Sequence, residues 1–390
     1  MKTVGLLTYF NNIGRGAVLQ AYSLYSELKM LESEGLGVRL PNICTVAQEC
    51  NMLKKRLMNV RRRGNITDYF RMKGAQGALF DFDGPRFRSD DYTRSINYLN
   101  SKNYDWVCVG SDEVWKVHGS SVSPFSTLRE TSRPFPNVYM ADERLSARKI
   151  SYAASANGAI YSKLSDVKLE FIERALRQFE MIGVRDRHTL EQLRFVGIKD
   201  NVHLVPDPTI LHDFNVYGDE SVRRKLHSMM GNGGKRKVVS ISTASNELNR
   251  QLYEKFHGMG WVVVTMTANR HCDYDLRTIF SPLEWAVAFR LFDLVITKSF
   301  HELIFGLKAK VPAYVIDVGR VYVETESKTK FLLEQLGLAE RYRNLGTSSM
   351  EETVNSIDPV GSMDMSRIAE GMENLALEGR RFIEKWRKML

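Results

Sequence analysis

An imidazole and an ammonium stand close together in Lys298-Ser299-Phe300-His301, where the apolar, strand-like run Leu294-Val295-Ile296-Thr297 gives way to the helix-like run Glu302 to Leu307. An imidazole holds and returns a proton near neutral pH. The first N–H groups of a helix, with a cation beside them, receive an anion. On position alone, a His that only caps or packs the junction carries equal weight. A second cation, Arg185, follows the strand-like run Met181 to Val184. Its planar fork suits a carboxylate or a phosphate. Equally, it suits an ion pair with Asp186 or another acid. Asp112 and Glu113 follow a third strand-like run, Trp106 to Val109, in a Gly110-Ser111 turn. There they can orient hydroxyls or take a proton, or cap the next helix. The turn Asn11-Asn12-Ile13-Gly14-Arg15-Gly16 offers backbone N–H groups as an anion cradle, without the full GxGxxG pattern of a dinucleotide site.

These residues need strands to end beneath them and helices to start beside them. The first strand is expected over Thr3 to Tyr9, and a helix over about Ala17 to Leu31 with Leu19, Tyr22, Leu24, Tyr25 and Leu28 as its apolar positions. Strand-like runs then recur at 106–109, 149–154, 181–184 and 202–205. A second series covers 238–242, 261–266, 294–297 and 313–316. Strands alternating with helices predict parallel sheet. The expected class is α/β, with two doubly wound Rossmann-like domains facing across a cleft. Residues 1–212 form the N-terminal domain, interrupted by a basic inserted element at 51–77. A linker region follows at 213–235, ending in Gly231-Asn232-Gly233-Gly234-Lys235. Residues 236–364 form the C-terminal domain. A helix over 365–390 packs back toward the N-terminal domain.

At 390 residues the chain exceeds one ordinary core. The net charge of +9 and pI near 9.2 raise a nucleic-acid reading. Much of that charge, however, is crowded into Lys54, Lys55, Arg56, Arg61, Arg62, Arg63, Arg71 and Lys73. Such a stretch reads as a solvated face, so no nucleic-acid partner is expected. A basic surface also suits an anionic lipid headgroup, a phosphorylated donor or an acidic glycan. The four cysteines, Cys44, Cys50, Cys108 and Cys272, have no ligand spacing, so neither a metal site nor a disulfide framework is expected. No run approaches the roughly 18 to 20 apolar residues that cross a bilayer, and the N-terminus reads as a strand and not a signal peptide. A cytoplasmic enzyme is expected, with loose association at the inner membrane face as an added possibility.

Taken in order, several strings resemble the polysaccharide pyruvyl transferase family: Gly5-Leu6-Leu7-Thr8 with Asn11-Asn12, Leu19-Gln20-Ala21-Tyr22, Val109 to Trp115, Ile150 to Ser155, Gly183-Val184-Arg185-Asp186, Asp207-Pro208-Thr209 and Thr297 to His301. The resemblance spans about the first 320 residues. It implies a GT-B-like architecture and transfer of a carboxyethylidene group from phosphoenolpyruvate to two hydroxyls of a sugar, forming a ketal. Phosphoenolpyruvate is then a co-substrate, no further cofactor is needed, and the acceptor is a sugar, a glycan or a lipid-linked saccharide. His301 takes the catalytic general-acid role. Arg185, Lys298, Ser299 and Phe300 take the donor, while Asn12, Gly14, Gly16, Asp112 and Glu113 take the acceptor. Some members carry Arg-Leu-His at the catalytic motif, with the Arg on the donor. Here Ser299 and Phe300 occupy those positions, which leaves Lys298 as the cation, and Glu302 stands where a small residue is usual. The rival readings are a GT-B glycosyltransferase with a nucleotide-sugar donor, its ribose and diphosphate held by Glu302 and Lys298, and a relative that has lost turnover.

Overall fold

The computed structural model describes residues 2–12, 14–46, 66–117, 135–230, 236–267, 269–318, 326–359 and 363–390. The chain divides into two compact units, Met1–His212 with Leu377–Leu390, and Asp213–Ala376. Each is an open sheet in which every strand pair is parallel. Parallel strands need helical crossovers, and these cover both faces. Hence the central strands read as short apolar runs, not as alternating ones.

In unit 1 the strands are β1 (Lys2–Leu7), β2 (Leu36–Cys44), β3 (Phe82–Arg88), β4 (Trp106–Val109), β5 (Arg148–Ala154), β6 (Phe179–Val184) and β7 (Val202–Leu204). Their spatial order is β3-β2-β1-β4-β5-β6-β7. Unit 2 holds β8 (Val238–Ser242), β9 (Val262–Thr265), β10 (Tyr274–Asp275), β11 (Leu294–Thr297), β12 (Ala313–Asp317) and β13 (Tyr342–Asn344), in the order β10-β9-β8-β11-β12-β13. Each sheet thus reverses direction once, between β1 and β4 in unit 1 and between β8 and β11 in unit 2. In such folds the crevice at the carboxyl ends of those two strands is where ligands bind. Apart from Arg185, which follows β6, the chemistry-bearing residues found in the sequence lie at or near these strand ends.

Two expectations need amendment. The first helix runs over Arg15–Lys29, two residues earlier than its apolar spacing suggests, with Gly14 in extended backbone as its N-cap. The polar segment 213–235 is not simply a linker. It carries a short 3-10 turn at Phe214–Val216 and a helix at Glu220–Met230, which buries Val222 and Leu226 one turn apart. Lys225 on that helix donates to both Glu284 oxygens at 2.7 Å, fixing it to the body of unit 2. Residues 231–235 lie outside the described residues, as do 51–65 of the basic element expected at 51–77. The rest of that element joins the helix Ile66–Leu79, whose Asp68 pairs with Arg15 at 2.5 Å and whose Gln76 donates to the Asn12 carbonyl at 2.9 Å. The last helix, Met365–Arg387, seats Trp386 against Trp106 and Phe382 against Tyr152 within unit 1.

Candidate functional site

In unit 2 the parallel register sets Thr297 at the end of β11 beside Ser242 at the end of β8. The chain then turns: the Lys298 N–H donates to the Ser242 carbonyl at 3.1 Å, leaving the Lys298 side chain exposed. Ser299 is the N-cap of the helix Phe300–Lys308, and its hydroxyl accepts the Glu302 N–H at 3.5 Å. Its own N–H donates to Thr297 Oγ1 at 2.8 Å. With the Ser299 hydroxyl spent on the cap and the Phe300 ring buried, these two residues can offer an anion mainly their backbone. Lys328 lies over the Phe300 ring at 5.4 Å, and the His301 ring sits 5.7 Å from it, tilted by 67°. His301 is half-buried in the first helical turn.

Glu302 occupies the third helical position, so Ser299-Phe300-His301-Glu302 has the pattern of a capping box. The reach-back is indirect. Thr297 Oγ1 accepts from Ser299 and donates onward to Glu302 Oε2 at 2.9 Å. The carboxyl is wholly buried, and Oε1 has no hydrogen-bond partner among the described residues. Burial raises its pKa to about 7, although the hydroxyls of Thr297, Ser242 and Thr267 and the charge of Lys298 pull the other way. A buried acid therefore lies under the junction that carries Lys298 and His301.

In unit 1 the predicted residues fall into two groups at the β1, β4 and β6 ends. Asn12 accepts the Gly14 N–H on Oδ1 at 3.0 Å, Gly14 is exposed, and Gly16 is buried in the first helical turn. Asp112 has a φ of 88°, and its carbonyl accepts from Val114 at 2.8 Å and Ser155 at 2.9 Å. Glu113 pairs with Lys116 at 3.4 Å and accepts from Asn157. Neither acid caps a helix among the described residues. Arg185 is almost wholly buried and pairs with Asp207 at 2.9 Å, not with Asp186. Asp186 instead caps the helix Arg187–Phe195 and accepts from Ser155 at 2.7 Å. Burial works against the Arg185 charge, but Asp207, Asp112 and Asp186 together outweigh it and raise its pKa further. Trp115 is core: it is fully buried and its Nε1 donates to the Tyr139 carbonyl at 3.2 Å, so no face is left for a sugar.

The motif reading gave the side chains of Asn11 and Ser111 no role. Both are buried at the carboxyl ends of β1 and β4, and the Asn11 amide and the Ser111 hydroxyl have no hydrogen-bond partner among the described residues. Unpaired buried polar atoms are costly and mark a place where a ligand or water completes the network. In the sequence Asn11 was legible as part of the Gly-containing turn and Ser111 as a turn residue, neither with a side-chain role.

Two doubly wound α/β units, each with one switch point, define the GT-B-like fold class. Solved structures share it. The UDP-GlcNAc 2-epimerase from Neisseria meningitidis, bound to UDP-GlcNAc, is 10% identical, with 97% of this chain and 94% of that one covered at a TM-score of 0.52. The UDP-GlcNAc 2-epimerase from Methanocaldococcus jannaschii is also 10% identical, with both chains covered in full at 0.51. No curated protein matches the sequence. The polysaccharide pyruvyl transferase family model matches residues 16–320, and the chain belongs to that family.

Proposed function

We propose that the protein transfers a carboxyethylidene group from phosphoenolpyruvate to two hydroxyls of a sugar, and that the helix start at Lys298 to His301 is the donor end. The observation that carries this reading is the pairing of an exposed ammonium with an imidazole at the β8–β11 switch point, in a chain of this family. Phosphoenolpyruvate carries a carboxylate and a phosphate on one enol carbon. A helix start with its N–H groups and a Lys offers such a molecule two anion-binding elements. His301 delivers a proton to the methylene carbon, which makes the central carbon electrophilic. A sugar hydroxyl adds, phosphate departs, and a second hydroxyl closes the ketal. Asp112 and Glu113, with Asn12 and the backbone at Gly14 and Gly16, orient the acceptor hydroxyls. Arg185 is the further donor-binding residue of this reading. The acceptor is a sugar of a surface glycan or its lipid-linked precursor.

Burial of Glu302 argues against the nucleotide-sugar reading. A carboxyl with no exposed surface is not placed to hold a ribose. The test is phosphate release from phosphoenolpyruvate in the presence of a panel of saccharide acceptors, with mass spectrometry of the products. Acceptor-dependent release with a ketal-modified sugar is expected. Transfer of a glycosyl group from a nucleotide sugar, with phosphoenolpyruvate left intact, would replace this reading by the rival one.

A further inference from the structure

The acid beneath the helix start has no part in the chemistry above, yet its surroundings give it one. We propose that Glu302 is a proton-linked positioning residue: it keeps a proton while an anion sits at the Lys298–His301 helix start, and a site that loses this proton binds the anion more weakly. The proposal deepens the donor-site reading and rests on it.

The geometry carries the argument. Glu302 is fully buried; Oε2 accepts one hydroxyl hydrogen bond, from Thr297 at 2.9 Å, and Oε1 has no partner among the described residues. An ionised carboxylate needs more donors than that to offset leaving water. A protonated one needs fewer, and it can donate from Oε1 toward the hydroxyls of Ser242 or Thr267, which flank it. Among the described residues Lys298 is a cation acting on it, and it is exposed and so partly screened by water. Other charged groups on elements packed against the helix are engaged elsewhere. Asp317 of β12 meets Tyr342 at 3.0 Å and Thr329 at 3.3 Å. Arg290 donates to the Phe214 and Tyr217 carbonyls. Lys328 lies over Phe300, and Lys330 reaches Glu334 at 3.7 Å.

An anion bound at the first turn would sit beside the same Lys298 whose charge favours an ionised Glu302. The two negative charges compete, so the anion favours the neutral acid and takes up a proton from solvent on binding. Since Glu302 titrates near pH 7, affinity should fall as the pH rises through that value. The relay Ser299 N–H to Thr297 Oγ1 to Glu302 ties the protonation state to the cap that aims the helix start.

The test uses the full chain and Glu302→Gln, a neutral isostere. Calorimetric titrations with phosphoenolpyruvate and with inorganic phosphate are run between pH 6 and 8, in buffers of different ionisation enthalpy that count protons taken up (about tenfold coupling expected). The parent should lose about tenfold more affinity across that range than Glu302→Gln does, because ionisation of the ligand's own phosphate group is common to both. An infrared difference between parent and variant reads the carboxyl directly, without a ligand, and should show a protonated acid at pH 6. A carboxylate already ionised at pH 6 overturns the proposal. So does a pH dependence as steep in Glu302→Gln as in the parent, or a parent that binds neither anion. If phosphate shows the Glu302-dependent profile and phosphoenolpyruvate does not bind, the proposal stands and the donor reading fails.

Discussion

Two residues carry most of the proposed chemistry, and their environments make them separable by mutation. His301 is half-buried on the first helical turn, so its loss removes a proton donor without emptying the core. His301→Gln should lower ketal formation by roughly 10²- to 10⁴-fold, the usual worth of one general acid. Donor affinity measured by titration should stay within a few-fold of the parent. Turnover at the parental rate would remove His301 from the acid role. Arg185 is the opposite case, because it is a buried partner of Asp207. Arg185→Ala takes the Arg185 charge away from that buried carboxylate and should cost about 3 to 5 kcal/mol in denaturant unfolding, as breaking one side of a buried pair does. Donor affinity of the folded fraction should fall as well. An unchanged affinity would confine Arg185 to a structural role.

The strand-to-helix junctions hold these residues in place, and each has a device that can be tested. Gly110, at the end of β4, has a φ of 117°, and a Cβ there would collide with the Tyr152 carbonyl. Gly110→Ala should therefore lower the thermal midpoint and displace Asp112, which follows two residues later. At the β11 junction, Glu302 has a folded-state pKa raised from 4.5 to about 7. Between those values the folded state binds more protons than the unfolded one, so this group's contribution to stability falls as the pH rises from 4.5 and is fully unfavourable above 7. The penalty is of order 3 kcal/mol at its upper limit. Glu302→Gln should remove this slope in urea unfolding, and an identical pH dependence in parent and variant would refute the assignment. Much of this level was legible in the sequence. The runs at 106–109, 238–242 and 294–297 coincide with β4, β8 and β11, because strands buried on both faces read as apolar blocks. β2 did not stand out, since Gly37, Pro41 and Asn42 punctuate it and its register with β3 shifts between Pro41 and Ile43. β10 and β13, only two and three residues long, are too short to show a period. In the site, Lys298, Ser299 and His301 lie at the expected helix start, but the Arg185–Asp207 pair and the buried state of Glu302 were not legible. Both depend on contacts between segments distant in sequence or on burial that no local pattern encodes.

At the scale of the whole molecule, two sheets of the same winding each provide a switch point, and the polar groups of interest gather there. No described helix is long and apolar enough to cross a membrane. Family membership and a shared fold leave the donor as the central question, since the neighbour from Neisseria meningitidis was solved with a nucleotide sugar. The most direct measurement is a thermal-shift titration of the full chain with phosphoenolpyruvate and, in parallel, with UDP-N-acetylglucosamine. A ligand that binds only the folded state at a hundred times its dissociation constant adds about 2.7 kcal/mol, a shift of a few degrees that is readily read. The account predicts a concentration-dependent rise with phosphoenolpyruvate and none with the nucleotide sugar. A rise with the nucleotide sugar alone would contradict it.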